Sequence, residues 1–245
     1  MAKWSQLAGE AFIDWLSPSL NLHWIDVGCG NGAFTELLAR RSTPRAITGI
    51  DPADAQLDYA RSRPGCAMAE FHKADAMSLP FPDDSFDTAV MALVIFFVPH
   101  PAKGVAEMAR VVKPGGTVAA YAWDMMNGGF PFNGLQMAMK EMGIPPTYPP
   151  SAEASRIEAM RALWAGAGLT SVETNEYTIR RTHDNFDDLF ITNSHSAAIA
   201  PKLKAMSIAD VEVLKARLRE SFPPDLSGRV TCTARVTAVK GRVPS

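Results

Sequence analysis

A predicted strand, a glycine-rich turn and a predicted helix follow one another in residues 23–41. The strand is a short apolar run that carries Asp26 near its end. Glycine then occupies every second position, at Gly28, Gly30 and Gly32, which allows a tight turn and leaves no Cβ between the backbone and a ligand. A helix that begins directly after such a turn presents free N–H groups and the positive end of its dipole. The segment therefore predicts a ligand-binding unit at the carboxyl edge of an open α/β sheet.

Strand-like and helix-like segments alternate from residue 23 to residue 123, with short connections between them. This alternation predicts a mostly parallel sheet with helices on both faces. Residues 86–98 are almost continuously apolar, as expected for a strand buried on both faces. The predicted strands are 23–27, 46–50, 69–73, 86–98 and 117–123, and the predicted helices are 34–41, 53–62 and 102–112.

The regular alternation ends at residue 124, and the later segments predict additions to one sheet. Residues 152–167 have helical periodicity, with Ser151 placed to cap the helix, and residues 171–181 are strand-like. Residues 229–239 alternate apolar and polar side chains, which is typical of an antiparallel strand with one solvated face. We expect a single domain over residues 1–245, with lid segments over the ligand side. The predicted lid segments are 1–20, 124–150 and 184–224.

Composition excludes several functional classes. A net charge of −2 with no basic cluster argues against a nucleic-acid partner. No apolar run reaches the length of a membrane span, and the N-terminus has no signal-peptide pattern. The three cysteines are scattered, with neither a paired framework nor metal-ligand spacing, so we expect no metal. The simplest interpretation is a cytoplasmic protein, and its oligomeric state stays open.

A set of ordered motifs makes the chain similar to a known enzyme family. The motifs, in sequence order, are Asp26-Val27-Gly28-Cys29-Gly30-Asn31-Gly32, Gly49-Ile50-Asp51, Ala74-Asp75-Ala76, Leu79-Pro80-Phe81, Phe86-Asp87 and Arg110-Val111-Val112-Lys113-Pro114-Gly115-Gly116. The chain resembles the class I S-adenosylmethionine-dependent methyltransferases, most of all the small-molecule branch related to the quinone-biosynthesis C-methyltransferases. The resemblance implies a Rossmann-like seven-stranded sheet whose last strand is antiparallel, and methyl transfer from S-adenosylmethionine to a small acceptor.

The resemblance also assigns cofactor contacts. Asp51 matches the acid that accepts hydrogen bonds from the ribose diol, and an ionised acceptor strengthens both bonds; capping the next helix is its alternative role. The adenine is expected beside Asp75 and the backbone of Ala76, although Asp75 also suits a simple loop turn. The methionine tail is expected between the glycine turn and the end of the fourth strand, with Asp26 ordering the turn or the amino group. The predicted cofactor-binding residues are Asp26, Gly28, Gly30, Gly32, Asp51, Asp75, Ala76, Ala92 and Leu93.

A dinucleotide is the competing ligand. Gly28, Gly30 and Ala33 satisfy the dinucleotide-binding fingerprint, and Asp51 follows at a suitable distance. The third glycine of the turn at position 32, and a second acid at the next strand end, favour S-adenosylmethionine over NAD. The alternating C-terminal strand is a weaker indication in the same direction.

The catalytic residues are less defined than the cofactor site. Methyl transfer is an in-line displacement, so positioning and exclusion of water supply most of the acceleration, and a base is needed only when the nucleophile must lose a proton. His100, just past the fourth strand, is the predicted base, with a surface-loop histidine as the alternative interpretation. The other candidate polar residues are Trp123, Asp124, Tyr177 and His195. The alternative function is a non-catalytic or partner-dependent S-adenosylmethionine-binding module.

The acceptor is expected to be hydrophobic or aromatic. Phe96 and Phe97 stand where related quinone-pathway enzymes often carry polar or histidine residues, so a quinone acceptor is not favoured. An apolar, methionine-rich wall would suit a hydrophobic acceptor, although the same side chains could simply fill the core. That predicted wall is Phe96, Phe97, Met125, Met126, Phe130, Phe132 and Met137.

Overall fold

The structure is a computed structural model that describes residues 2–196 and 199–245. Residues 1 and 197–198, which fall in the predicted lid segments 1–20 and 184–224, lie outside the described residues. The elements in chain order are α1 (Ala2–Leu16), β1 (His23–Val27), α2 (Ala33–Arg41), β2 (Ala46–Asp51), α3 (Asp54–Ser62), β3 (Ala69–Lys73), β4 (Phe86–Ala92), α4 (Pro101–Val111), β5 (Val112–Trp123), α5 (Asn133–Glu141), α6 (Ile157–Gly166), β6 (Thr170–His183), α7 (Phe186–Ser194), α8 (Ala200–Ala205), α9 (Ile208–Ser221) and β7 (Val230–Arg242).

The described residues form a seven-stranded sheet in the order β3-β2-β1-β4-β5-β7-β6. Strands β1 to β5 pair in parallel, and β7 runs antiparallel to both of its neighbours, β5 and β6. The Rossmann-like sheet with an antiparallel last strand, predicted from the sequence, is confirmed. The order reverses direction at β1 and β4, so their carboxyl ends flank the crevice in which open α/β sheets bind ligands.

Strand β4 is shorter than the apolar run predicted. It ends at Ala92, and Leu93 adopts the left-handed conformation with φ of 62°. A short 3₁₀ turn follows at Ile95–Phe97, in which Ile95 and Phe96 are buried. The predicted extension of the strand to residue 98 is wrong. An apolar run indicates that a segment is buried but not that it is extended, and here the buried segment after Ala92 is a turn.

The predicted cap at Ser151 is also wrong. Its hydroxyl donates to the carbonyl of Val98 at 2.7 Å, and a 3₁₀ turn at Ala152–Ser155 precedes α6. Ser207, by contrast, does cap α9: its hydroxyl oxygen accepts from the backbone N–H of Asp210 at 3.1 Å. The two serines differ because Ser207 is followed at once by an α-helix, whereas Ser151 is followed by a 3₁₀ turn.

Helix α1 covers one face of the sheet over β5, β7 and β6. Aromatic side chains along the helix pack on side chains at successive positions along the strands. Phe12 packs on Tyr121 at a ring-centroid distance of 4.6 Å. At one end Trp15 lies under the ammonium of Lys240, and at the other Trp4 packs on Trp123. The helix therefore runs along the strands, with its first turn at the carboxyl edge of β5.

The two insertions pack on each other through α5 and α9. Leu135 and Met139 of α5 form a small apolar cluster with Leu214 and Leu218 of α9. This cluster gives the segments 124–150 and 184–224 a core of their own at the edge of the sheet. None of the helices in residues 2–196 and 199–245 is long and apolar enough to cross a membrane.

Candidate active site

The turn between β1 and α2 is the loop on which the site is built. Gly28, Gly30 and Gly32 have φ angles of 79°, 52° and 77°, in the left-handed region where a side chain is strained. The backbone N–H groups of Gly28 and Cys29 both donate to the carbonyl of Ile50 at 2.8 Å, which fixes the loop to the end of β2. The loop is therefore held rigidly at the crevice before any ligand binds.

The three glycines are required for different reasons. A Cβ on Gly28 would lie 2.5 Å from a methyl group of Val94, so this position has no room for a side chain. A Cβ on Gly32 would lie 3.0 Å from that of Ala60, which places Gly32 against α3 rather than against a ligand. A Cβ on Gly30 would have open space around it, with the nearest atom 4.0 Å away on Gln56. Of the three glycines, only Gly30 faces open space that a ligand can fill. Gly28 packs against Val94 at the bottom of that space.

Asp51, at the end of β2, is held by two backbone hydrogen bonds but does not cap α3, whose N-cap residue is Ala53 without a side-chain cap. One carboxylate oxygen accepts from the N–H of Gly30 at 3.0 Å, and the other accepts from the N–H of Ala53 at 2.9 Å. Each oxygen keeps a further lone pair, since a carboxylate oxygen can accept two hydrogen bonds. The half-buried side chain lines the cleft, so the carboxylate can still receive a diol.

Asp75 and Ala76 line the same cleft after β3. The Asp75 carboxylate accepts from the N–H of Met77 at 2.8 Å, and the Asp75 carbonyl accepts from that of Ser78 at 3.0 Å. These bonds form the loop turn considered as the alternative. The turn itself presents the acid and the following backbone to the cleft, so the two interpretations are compatible.

Asp26 lies behind the glycine loop and does not line the cleft. It is fully buried, and one carboxylate oxygen accepts from the hydroxyl of Thr35 at 2.7 Å. Its other oxygen is buried without a hydrogen-bond partner in the described residues. Burial is the largest influence on the pKa of Asp26 and raises it, and the nearby charge of Asp51 raises it as well. The Thr35 hydrogen bond lowers it, and the net pKa is about 7. The predicted role of ordering the loop fits this position better than direct contact with a ligand.

The end of β4 forms the far wall of the cleft. Ala92 and Leu93 line it, and the N–H of Leu93 donates to the carbonyl of Tyr121 on the neighbouring strand at 2.9 Å. The left-handed backbone at Leu93 turns Val94 under Gly28. Tyr121 itself lines the cleft, and burial raises the pKa of its phenol well above the usual value. Sequence reasoning missed Tyr121 because it reads as one more apolar residue of a buried strand.

Three of the candidate catalytic residues, His100, Asp124 and His195, do not line the cleft. His100 is exposed at the start of α4 and is not a lining residue of the cleft, although its neighbour Pro99 is. His195 is exposed, and its Nδ1 bonds the carbonyl of Ile191. Asp124 is buried, and its carboxylate accepts from Asn127 and from Arg235, the latter at 2.6 Å. His100 as the base therefore stays a prediction, and Asp124 holds the first insertion against β7.

Only one residue of the predicted apolar wall lines the cleft. Phe97 does so and is 61% exposed. Phe96, Met125 and Phe132 are buried in the main core, and Met126 and Phe130 pack against it. The interpretation of these side chains as core is the better one for the residues after β5. The sequence could not separate the two because burial and ligand contact favour the same residue types.

The cleft that joins these elements has a volume of about 1370 Å³. Ligand pockets usually measure about 300–1,000 Å³, so this one has room for more than one small molecule. It extends along α2 to the first turn of α1, where Lys3 and Gln6 line it. Residues 1–20 are a predicted lid segment, but neither Lys3 nor Gln6 is among the predicted site residues. In the described residues no group of His, Cys, Asp and Glu is arranged to hold a metal ion.

Comparison with known proteins agrees with this geometry. Residues 25–120, which include the glycine loop and β1 to β5 up to Ala120, match the family model described as a methyltransferase domain. Residues 25–120 are thus similar to a methyltransferase domain, and the ordered motifs of this segment are those expected for S-adenosylmethionine as cofactor. The glycine loop with its open side at Gly30, and the free lone pairs of Asp51, fit the charged tail and the diol of that cofactor.

Relatives of the methyltransferase domain share parts of the chain. It is 37% identical over 92 residues to a fatty-acid O-methyltransferase of Mycolicibacterium smegmatis, covering 38% of this chain and 34% of that protein. It is 37% identical over 98 residues to 2-methyl-6-phytyl-1,4-hydroquinone methyltransferase 2 of Oryza sativa subsp. japonica, covering 40% and 28%. The chain thus spans about a third of the length of these relatives.

A solved structure shares the fold over almost the whole chain. The YcgJ protein of Bacillus subtilis superposes with a TM-score of 0.62 at 16% identity, covering 98% of both chains. At this identity the likeness concerns the fold alone. It includes the sheet edge with β7 and β6, which the family model does not reach.

Proposed function

We propose that the chain transfers a methyl group from S-adenosylmethionine to a small acceptor with an apolar body. The observation that carries the proposal is that the glycine loop, Asp51 and the turn at Asp75 line one cleft, at the carboxyl ends of three adjacent parallel strands. These three elements suit the amino-acid tail, the ribose and the adenine of the cofactor in that order.

The residues of the chain act mainly by position. The glycine loop and the end of β4 would hold the sulfonium so that the methyl group faces the acceptor. Phe97 and the first turn of α1 would cover the acceptor and exclude water. When bound, the cofactor supplies an electrophilic methyl group on a positively charged sulfur. His100 is kept as the proposed base for acceptors that reach the site protonated.

The names of the partial relatives support an apolar acceptor. A fatty acid and a phytyl hydroquinone, the acceptors those names give, both combine an oxygen with a long hydrocarbon. The exposed side chains of Tyr59, Met68 and Phe97 along the cleft are suited to such a molecule. The choice among oxygen, carbon and nitrogen acceptors is not made by these features.

Calorimetric titration tests the cofactor half of the proposal. We expect S-adenosylmethionine to bind and Asp51→Asn to weaken binding about tenfold or more, since charge-assisted hydrogen bonds to the ribose are lost. Asp54→Asn is the matched control, because Asp54 is an exposed acid three residues later that pairs with Lys73. Saturable binding of NAD with none of S-adenosylmethionine would overturn the proposal.

Transfer of a labelled methyl group tests the catalytic half. A panel of apolar acids, alcohols, amines and phenols is incubated with the chain and labelled cofactor. Product from any acceptor supports the enzyme. Cofactor binding without product from the whole panel favours the alternative, a module that only binds S-adenosylmethionine or needs a partner chain.

A further inference from the structure

Three buried hydrogen-bond donors lie on the sheet face that the first turn of α1 covers. Trp4 and Trp123 are each 1% exposed and pack edge to face with ring centroids 6.4 Å apart. Trp123 of β5 and Tyr177 of β6 both lie opposite Val236 of β7, so their side chains are on the same face. Within residues 2–196 and 199–245, the two indole N–H groups and the Tyr177 hydroxyl have no hydrogen-bond partner.

Such a cluster is unusual because a buried donor without an acceptor destabilises the fold. An indole nitrogen can only donate. Burial raises the pKa of the Tyr177 phenol well above its usual value, so its hydroxyl keeps its proton. The group that complements this cluster is a hydrogen-bond acceptor, a role that a carboxylate fills with several lone pairs and that an ammonium cannot fill.

The cluster adjoins the cofactor cleft through Tyr121. Tyr121 precedes Trp123 by two residues on β5, so both side chains project from one face, and Tyr121 lines the cleft. It lies opposite Ala92, at the end of β4 where the methionine tail is expected. Lys3 and Gln6, in the same turn of α1 as Trp4, also line the cleft. A molecule entering under this turn from the cleft would reach the donors beside the methyl group.

We infer that the methyl acceptor is a carboxylic acid with an apolar body, bound as its carboxylate by Trp4, Trp123 and Tyr177. The inference rests on the methyl transfer proposed above and names the acceptor of that reaction. The three donors would hold the carboxylate through its two oxygens, and a remaining lone pair of one oxygen would attack the methyl group. Because Trp4 is buried, the first turn of α1 has to move outward for the acceptor to enter.

A carboxylate acceptor reacts without a general base, because it has no proton to lose. A remaining lone pair of one carboxylate oxygen attacks the methyl carbon, and the S–CH₃ bond breaks with its electron pair passing to sulfur. The products are a methyl ester and a neutral thioether, and no proton is transferred. Carboxylic acids have pKa values of about 4, so they are already ionised at neutral pH. This chemistry accounts for a cleft whose lining in the described residues holds no histidine.

A matched acceptor series tests the chemical class. Decanoic acid, 1-decanol, decylamine and 4-octylphenol are incubated with the chain and labelled S-adenosylmethionine, after calorimetry has established cofactor binding. We expect methyl decanoate as the main product. Larger kcat/KM for the alcohol, amine or phenol, or no ester despite bound cofactor, would overturn the carboxylate inference alone. Absence of cofactor binding would instead overturn the proposed function.

Single-atom removal tests the donors. Tyr177→Phe deletes the unpaired hydroxyl, so we expect KM for decanoate to rise about tenfold while the thermal midpoint is equal or higher. Tyr148→Phe, at an exposed tyrosine outside the cleft, is the control and should change neither quantity. An unchanged KM in Tyr177→Phe would show that the hydroxyl serves no acceptor.

The tryptophans have an internal control. Trp24 also has a buried indole N–H without a partner in the described part of the chain, but it lies near the amino end of β1 and does not line the cleft. Trp123→Phe and Trp24→Phe remove the same volume and the same donor, so both should lower the thermal midpoint. Only Trp123→Phe should also raise KM for decanoate. Equal KM values in the two variants would contradict the inference.

Discussion

The carboxylate of Asp51 accepts a hydrogen bond from the backbone N–H of Gly30 at 3.0 Å. This bond joins the end of β2 to the open side of the glycine loop. The residue expected to bind the ribose therefore also shapes the loop expected to bind the methionine tail. A change at Asp51 acts on both contacts at once, so tests of the loop itself need variants at other positions.

Gly28→Ala tests the floor of the loop. The new Cβ would meet Val94 at 2.5 Å and would hold a left-handed conformation, so we expect a loss of about 2–5 kcal/mol in the free energy of unfolding. Gly143→Ala is the control, since its φ is 81° but no atom lies within 4 Å, and it should cost only about 1–2 kcal/mol. Urea unfolding measures both. Equal losses, or no recovery when Val94→Ala is added to Gly28→Ala, would contradict the steric explanation.

Asp26 should make the stability of the cofactor-free protein depend on pH. Burial raises its folded-state pKa to about 7, above the value of 3.8 expected for the unfolded chain, so the folded state binds more protons between these values. The free energy of unfolding should therefore fall as pH rises from about 4 through 7, by about 2–3 kcal/mol between pH 5 and pH 8. Asp26→Asn, which can still accept from Thr35, should remove this part of the slope.

A second variant checks the cause of that slope. Thr35→Val deletes the hydrogen bond that lowers the pKa of Asp26, so the loss of stability should extend to higher pH. Urea unfolding at several pH values compares the three proteins. Parallel profiles for the wild type and Asp26→Asn would show that Asp26 ionises normally in the folded state.

Phe97→Ala tests the one residue of the predicted apolar wall that lines the cleft. The ring is 61% exposed in the cleft, so its removal should change stability by less than about 1 kcal/mol. Loss of an aromatic contact should raise KM for an apolar acceptor about tenfold. Ile208→Ala, at a side chain 87% exposed outside the cleft, should leave KM unchanged. A weaker affinity for S-adenosylmethionine in calorimetry, with KM for the acceptor unchanged, would assign Phe97 to the cofactor instead.

His100→Gln tests the predicted base. With a phenol, which must lose a proton, kcat should fall about 100-fold if His100 removes it. With decanoate, which carries no such proton, kcat should be unchanged. His72→Gln, at an exposed histidine on β3, is the control for both acceptors. An undiminished kcat for the phenol would remove His100 from the reaction.

The local features of the site could be read from the sequence because they depend on the residues themselves. Glycine adopts the left-handed conformation at Gly28 and Gly30 without strain, and an acid directly after an apolar strand lies at the carboxyl edge of the sheet. The alternating polarity of residues 229–239 likewise reports a strand with one solvated face, and β7 is antiparallel as that pattern and the family resemblance predicted.

The tertiary structure decided what depends on side chains far apart in sequence. The turn at Leu93 is invisible in an apolar run, because burial by other elements imposes the same composition on strands and turns. The contribution of α1 to the cleft follows from its packing on β5 and β6. The donors of Trp4, Trp123 and Tyr177 come together only when three strands and a helix meet. The sequence predicted the cofactor, since the contacts expected for it lie in short motifs, whereas the features that bear on the acceptor arise from long-range packing.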